Sequence, residues 1–222
     1  MEFVLIFIMV RKLLTDNQRR KEDNSDDSLF YSMPRFVHHL DINFRSRLTN
    51  LYKKRISEKS ILLDLMSSWV SHLPDKVKYK RVIGHGLNRV ELEKNIRLDS
   101  FWVQDLNVNH KFPLDDSSID VCLMAAAWQY LQYPEEIAAE IKRVVSPGGL
   151  LIVSFSNRAF WTKTPSVWKE SSDSGRIEYI RNVLTSEGWS NIEVFIAKEE
   201  PKSILPLLGI GTDPFFSVIA IK

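Results

Sequence analysis

From residue 60 onward, short continuous apolar runs alternate with segments of helical period, and that alternation leaves few folds open. The runs are SILLDL (60–65), RVIG (81–84), FWVQDL (101–106), SIDVCLMAAA (118–127) and GLLIVSFS (149–156). Continuous apolarity, rather than strict alternation, is what central parallel strands covered on both faces require. Between the last two, PEEIAAEIKRVV (134–145) puts Ile137, Ile141, Val144 and Val145 on one helical face. Pro134, Glu135 and Glu136 stand at its start and Lys142 and Arg143 near its end, in keeping with the helix dipole, and PGG (147–149) is expected to stop it. RIEYIRNVLTSEGW (176–189) reads as a second helix ended by Gly188. NIEVFIA (191–197) and FFSVIAI (215–221) are further strands, joined by the stretch EEPKSILPLLGIGTDP. The fold class is therefore α/β, an open sheet with helices on both faces. Ligands in such sheets lie beyond the C-terminal strand ends, where strand order reverses. The informative positions are 64–70, 84–88, 104–106, 125–130 and 156–161.

A chain of 222 residues suggests one domain with a substantial core. A net charge of +2 gives no case for a nucleic-acid partner. FVLIFIMV (3–10) is apolar, but a membrane span needs about 20 such residues, so no span is expected. Glu2 and the following RKLLTDNQRRK do not look like a secretory signal. Residues 11–29 mix both charges with Asn and Ser, so 1–29 reads as a flexible arm. The single cysteine, Cys122, fits a reducing, cytoplasmic compartment and reads as a small buried hydrophobe. His72, His85 and His110 show no metal-ligand spacing, so no metal is expected, and there is no G-x-S-x-G, P-loop or C-x-x-C.

FPLDDSSIDVCLMAAAWQYLQYPEEIAAEIKRVVSPGGLLIVSFSNR (112–158) resembles the middle of class I S-adenosylmethionine-dependent methyltransferases of the type 11 kind. In that family a segment like LPF-D-S-FD enters the fourth strand, and a helix carries E-x-x-RVL-x-PGG into the fifth. Here the matching residues are Phe112-Pro113-Leu114, Ser118-Ile119-Asp120, Glu140, Arg143-Val144-Val145 and Pro147-Gly148-Gly149. FYSMPRFVHHLD (30–41), LLDLMSSWVSHLP (62–74), VQDLNVN (103–109) and SFSNRAFWTK (154–163) further resemble a divergent, glycine-poor subgroup of methyltransferase-like proteins. The resemblance implies a seven-stranded, Rossmann-like sheet over 60–222 with FFSVIAI as its one antiparallel strand, and a helical lid over 30–59.

It also implies a site. Asp64 matches the acid ending the first strand. The family's loop glycines, which reach positive φ and let backbone approach the ligand, fall on Met66, Ser68 and Val70. Gly84 aligns with a family glycine, and Gly86 then stands where the ribose-binding acid belongs. Two charged hydrogen bonds, each worth roughly 1.5–3 kcal/mol, go with that acid, and Asn88 or Glu91 are the substitutes at hand. Asp105 matches the acid that accepts from the adenine amino group, with Gln104 and Leu106 beside it. S-adenosylmethionine carries no phosphate, so a phosphate nest is dispensable. Ser67, Trp69, His85 and Ala126 complete the cofactor candidates. Trp69 would either stack on a ligand or fill the adenosyl volume.

Methyl transfer needs positioning and the exclusion of water, and a base only if the acceptor must lose a proton. His38, His39 and Tyr130 are the catalytic candidates; each histidine would otherwise pack or be solvated. Tyr31, Arg35, Gln129, Asn157, Arg158 and Trp161 are the acceptor candidates, with Arg35 either binding an acceptor carboxylate or pairing with Asp41. The expected function is an S-adenosylmethionine-dependent methyltransferase on a small acceptor. The alternative is a non-catalytic relative that keeps the fold as a binding or assembly module, its cavity plugged by Met66 and Trp69. A weaker third reading is an unusual cofactor that needs no ribose acid.

Overall fold

A computed structural model describes residues 13–197 and 212–222. Seven strands form one sheet in the order β3-β2-β1-β4-β5-β7-β6. These are β1 (Ile61–Asp64), β2 (Arg81–Gly86), β3 (Ser100–Val103), β4 (Ile119–Ala125), β5 (Val145–Phe155), β6 (Ser190–Ala197) and β7 (Phe215–Ile221). β7 runs antiparallel to both β5 and β6, and the pairs among β1 to β5 are parallel. This is the expected seven-stranded arrangement with one reversed strand.

The continuous apolar runs follow from two covered faces. Along β4, Cys122 and Met124 enter the core beneath α5 (Pro134–Val144) and α7 (Asp173–Ser186), while Val121 and Leu123 enter the core beneath α3 (Ile42–Arg55). α5 contributes Ile137, Ile141 and Val144, α7 contributes Ile180, Val183 and Leu184, and α3 contributes Phe44, Leu48 and Tyr52, all buried. Fully burying one such side chain is worth about 1.5–3 kcal/mol. The helix predicted to be stopped by PGG ends earlier, at Val144, and β5 begins at Val145. The PGG residues lie within the strand, with Gly148 at φ +78. Gly188, at φ +73, does sit just beyond α7, as its sequence position suggests.

The described part of the N-terminal segment is not a solvated arm. α1 (Asp16–Arg19) is held by a two-point pair from Arg19 to Glu135 on α5, at 3.0 and 2.7 Å, both side chains buried. Lys21 and Lys163 converge on Asp27, at 2.5 and 3.3 Å, at the start of α2 (Asp27–Phe30). The expected helical lid over 30–59 divides in two: residues 31–41 are irregular, and α3 is core. The apolar run 3–10 and most of the 199–214 stretch lie outside the described residues. Among the described residues, no helix is long and apolar enough to cross a membrane.

Candidate functional site

Strand order reverses at β1, which pairs with β2 on one side and β4 on the other. Beyond the C-terminal ends of these strands lies a cavity of about 540 Å³, roofed by the segment from Asp27 to Leu40 and by the loop 157–161 after β5. That volume falls in the range of about 300–1,000 Å³ typical of small-molecule sites.

The floor is the glycine-free loop. Met66 adopts φ +57, the left-handed conformation that glycine takes most readily. Side chains fix the loop in place of glycines. The Met66 amide donates to His85 Nδ1 (3.2 Å) and the Ser67 amide to the His85 carbonyl (2.6 Å). Ser67 Oγ donates to Asp64 (2.6 Å) and Ser68 Oγ to Glu91 (2.5 Å). Asn95 donates to the Ser68 carbonyl and to Ser71 Oγ, both at 2.9 Å.

Gly86 is glycine because of this loop: a Cβ there would meet the Ser67 carbonyl oxygen at 2.5 Å. Gly84 is glycine for another reason, since its Cβ would strike Leu98, and it does not line the cavity. It is therefore withdrawn as a contact residue. His85 cannot offer a donor to a ribose hydroxyl either, because Nε2 lies 2.9 Å from the Gln104 carbonyl and Nδ1 takes the Met66 amide. Burial holds its pKa at about 4, so the ring is neutral. The Gln104 side chain is spent on the carbonyls of Asn109 and Lys111.

Every other sequence candidate lines the cavity. Asp64 is 4% exposed, and burial lifts its carboxyl to about 6 against an ordinary 3.8. Asp105 is half-buried, its pKa also raised by burial, and accepts from the Asn107 amide at 2.8 Å. Neither acid forms an ion pair among the described residues. His39 stands against Phe160 (ring centroids 5.4 Å), and burial followed by the Arg35 charge lowers its pKa. His38 lies over Trp69 at 4.8 Å, its pKa lowered chiefly by burial. Trp69 donates to the Val37 carbonyl (3.3 Å), so it ties loop to roof and does not plug the cavity. Tyr130 accepts from the Phe160 amide (3.1 Å), and burial pushes its pKa to about 12. It is thus protonated at neutral pH, which leaves it a packing or orienting role. Arg35 does not pair with Asp41: its guanidinium donates to the Phe30 carbonyl (2.8 Å) and lies over the Phe30, Tyr31 and Phe160 rings.

Several lining residues stand outside the sequence-based candidates. Phe160 is the hub of the aromatic wall, Asn107 joins Asp27 to the Tyr130 carbonyl, and Ser71 and His72 continue the floor. Burial holds His72 at about 4. The only sequence signal for these four is proximity to strand ends. Among the described residues no cluster has the composition of a metal site.

Comparison with known proteins agrees with this geometry. A family model described as "Methyltransferase domain" matches residues 64–153. An "Uncharacterized methyltransferase" of Mycobacterium ulcerans (strain Agy99) is 39% identical over 44 residues, 20% of this chain and 17% of that protein. A SAM dependent methyltransferase from Archaeoglobus fulgidus superposes with a TM-score of 0.55 at 11% identity, covering 80% of this chain and 94% of the other. An S-adenosylmethionine dependent methyltransferase from Mesorhizobium loti gives 0.54 at 17%, covering 78% and 96%. The [4+2]-cyclase SpnF gives 0.57 at 16%, covering 79% and 80%, so the fold by itself does not fix the reaction. Residues 64–153 match the methyltransferase-domain family model, and the sheet order with its cavity is the fold that these solved methyltransferases share.

Proposed function

We propose that this protein binds S-adenosylmethionine in the cavity and transfers its methyl group to a small acceptor. The observation that carries the reading is the pair of carboxylates, Asp64 and Asp105, beyond the ends of β1 and β3, lining one cavity without an ion-pair partner among the described residues. A buried acid with no cation costs stability unless a ligand supplies the charge. The donor set fits the cofactor at its amino-acid end through Asp64 and at its adenine end through Asp105, with the Leu106 backbone beside the latter. It departs at the ribose, where Gly86 leaves no acid and Glu91 is already bonded to Ser68 and to the Arg35 amide (2.7 Å).

When bound, the cofactor supplies a methyl carbon activated by its sulfonium. The chain's part is to hold the acceptor in line, to exclude water with the 31–41 roof, and to take a proton where the acceptor loses one. His39 suits the last of these roles, because its lowered pKa keeps it unprotonated near neutral pH and its ring makes no hydrogen bond among the described residues. Tyr130 and Phe160 form a planar wall, rings 6.1 Å apart and 30° from parallel, that orients an acceptor.

Calorimetric titration with S-adenosylmethionine and S-adenosylhomocysteine tests the reading. Saturable binding by the wild type, lost in Asp105→Ala, is expected. An absence of heat and of any thermal shift would overturn it. That outcome favours the second reading, a non-catalytic binding or assembly module, for which the closed Ser67–Gly86 contact is the specific observation.

A further inference from the structure

Most polar side chains facing the cavity are already committed. Both oxygens of Glu91 accept hydrogen bonds, and the amides of Asn88 and Asn107 are spent between roof and loops. What remains open is segregated by chemistry. On the strand ends the groups with no ion-pair partner among the described residues are the acids Asp64 and Asp105. On the opposite side the open groups are donors.

The chief donor is Arg158, on the loop after β5. Its Nε donates to Asp213, while its terminal nitrogens have no partner among the described residues and its side chain is 59% exposed. The anchor is rigid. Asp213 is 3% exposed, accepts from the Asp41 amide at 2.8 Å and donates its own amide to Asp41 at 2.7 Å. One edge of the guanidinium is therefore fixed and the other is presented, the arrangement that favours a two-point carboxylate contact. Phe160 stands two residues further along the same loop, and its ring meets Tyr31, Tyr130 and His39 at 6.3, 6.1 and 5.4 Å. The Tyr31 hydroxyl makes no hydrogen bond among the described residues, and the residue lines the cavity. Such a wall would ordinarily suit a ligand cation, but the Arg35 guanidinium already lies 5.6 Å from the Phe160 and Tyr31 ring centres. A second cation there would meet a like charge.

We propose that the acceptor half of the cavity takes a small aromatic carboxylate, its anion on the terminal nitrogens of Arg158 and its ring against Phe160. The proposal rests on the methyl-transfer reading, names the acceptor class, and moves the carboxylate-binding role from Arg35 to Arg158. Its physical basis is polarity: a cationic donor molecule sits on the acids of the strand ends, and an anionic acceptor sits across from it.

The test uses the full chain and three ring probes of similar shape: benzoate, benzamide and benzylamine. Each is titrated by calorimetry with and without saturating S-adenosylhomocysteine. Benzoate is expected to bind at least about tenfold more tightly than benzamide, a difference of about 1.4 kcal/mol, with benzylamine weakest. Arg158→Gln should erase the benzoate preference, and Arg158→Lys, which keeps the charge and loses the fork, should restore part of it. Equal affinities, a preference for benzylamine, or no binding by any probe overturns the proposal. Binding of S-adenosylhomocysteine without anion preference sinks the acceptor class alone. Anion preference without S-adenosylhomocysteine binding leaves the Arg158 site standing and sinks the methyl-transfer reading.

Discussion

Replacing Asp64 by asparagine should make the protein more stable near neutral pH and, on the proposed reading, worse at binding S-adenosylhomocysteine. In the folded chain burial holds this carboxyl at about 6, against 3.8 in an ordinary setting. A raised folded-state pKa contributes stability that is complete below 3.8 and is lost as pH rises through about 6. Above that pH the fold carries the whole cost of an ionised, unpaired acid. A shift of about two units corresponds to an upper bound of about 3 kcal/mol. The asparagine of Asp64→Asn keeps a carbonyl to accept the Ser67 hydroxyl, so the hydrogen bond of 2.6 Å has a substitute. The expected gain is therefore roughly 1–3 kcal/mol at about pH 8, shrinking towards zero near pH 4, as read from urea unfolding at both pH values. Calorimetry on the same variant should show weakened S-adenosylhomocysteine binding, because the ligand's ammonium loses its counter-charge. A variant no more stable than wild type at about pH 8, or a difference identical at both pH values, would refute the view of Asp64 as a desolvated acid awaiting a cation.

Three further outcomes follow from the same geometry. Arg19→Met leaves Glu135 buried without its partner and should cost about 3–5 kcal/mol in urea unfolding, since breaking a buried pair from one side strands a charge. If His39 is the base, the acid limb of the kcat/KM profile should fall below its ordinary value of 6.5, because burial and Arg35 favour the neutral ring; a limb at or above 6.5 removes His39 from that role. Gly86→Ala should destabilise by about 1–3 kcal/mol or more and Gly84→Ala by distinctly less, because the first collides with backbone and the second with the end of the Leu98 side chain.

The sheet is legible in the sequence because each strand is an apolar run bounded by turn or helix residues, and FFSVIAI matches β7 to the residue. The start of β5 is not legible, because PGG reads as punctuation although Gly148 only bends a strand that already began at Val145. The acids Asp64 and Asp105 are legible because strand ends define where a ligand lies. The groups that position the site are not. Asn95, Glu91 and Asp213 come from distant parts of the chain, and their roles depend on contacts across 23 to 172 positions of sequence. The N-terminal segment is obscure for the same reason: its charged composition suggests solvation, whereas Arg19, Lys21 and Asp27 are buried in pairs.

The missing loop glycines and the missing ribose acid look like two departures in the sequence, and the structure makes them one. Two backbones can approach this closely only if one side lacks a Cβ. In the family pattern the loop supplies the glycine and the strand keeps its acid. Here the loop carries Met66, Ser68 and Val70, and the end of β2 supplies the glycine, with the Ser67 carbonyl 2.5 Å from any Cβ placed on Gly86. An acid at 86 and a substituted loop therefore exclude each other, and reversing one alone should fail. Gly86→Asp should be strongly destabilising in the native loop. Combined with Met66→Gly and Ser68→Gly, which free the loop backbone to withdraw, it should cost less than the sum of the separate changes by about 1 kcal/mol or more. Urea unfolding of the separate and combined variants measures that coupling. Strict additivity would mean that the loop and the strand end vary independently, and the single account of both departures would fall.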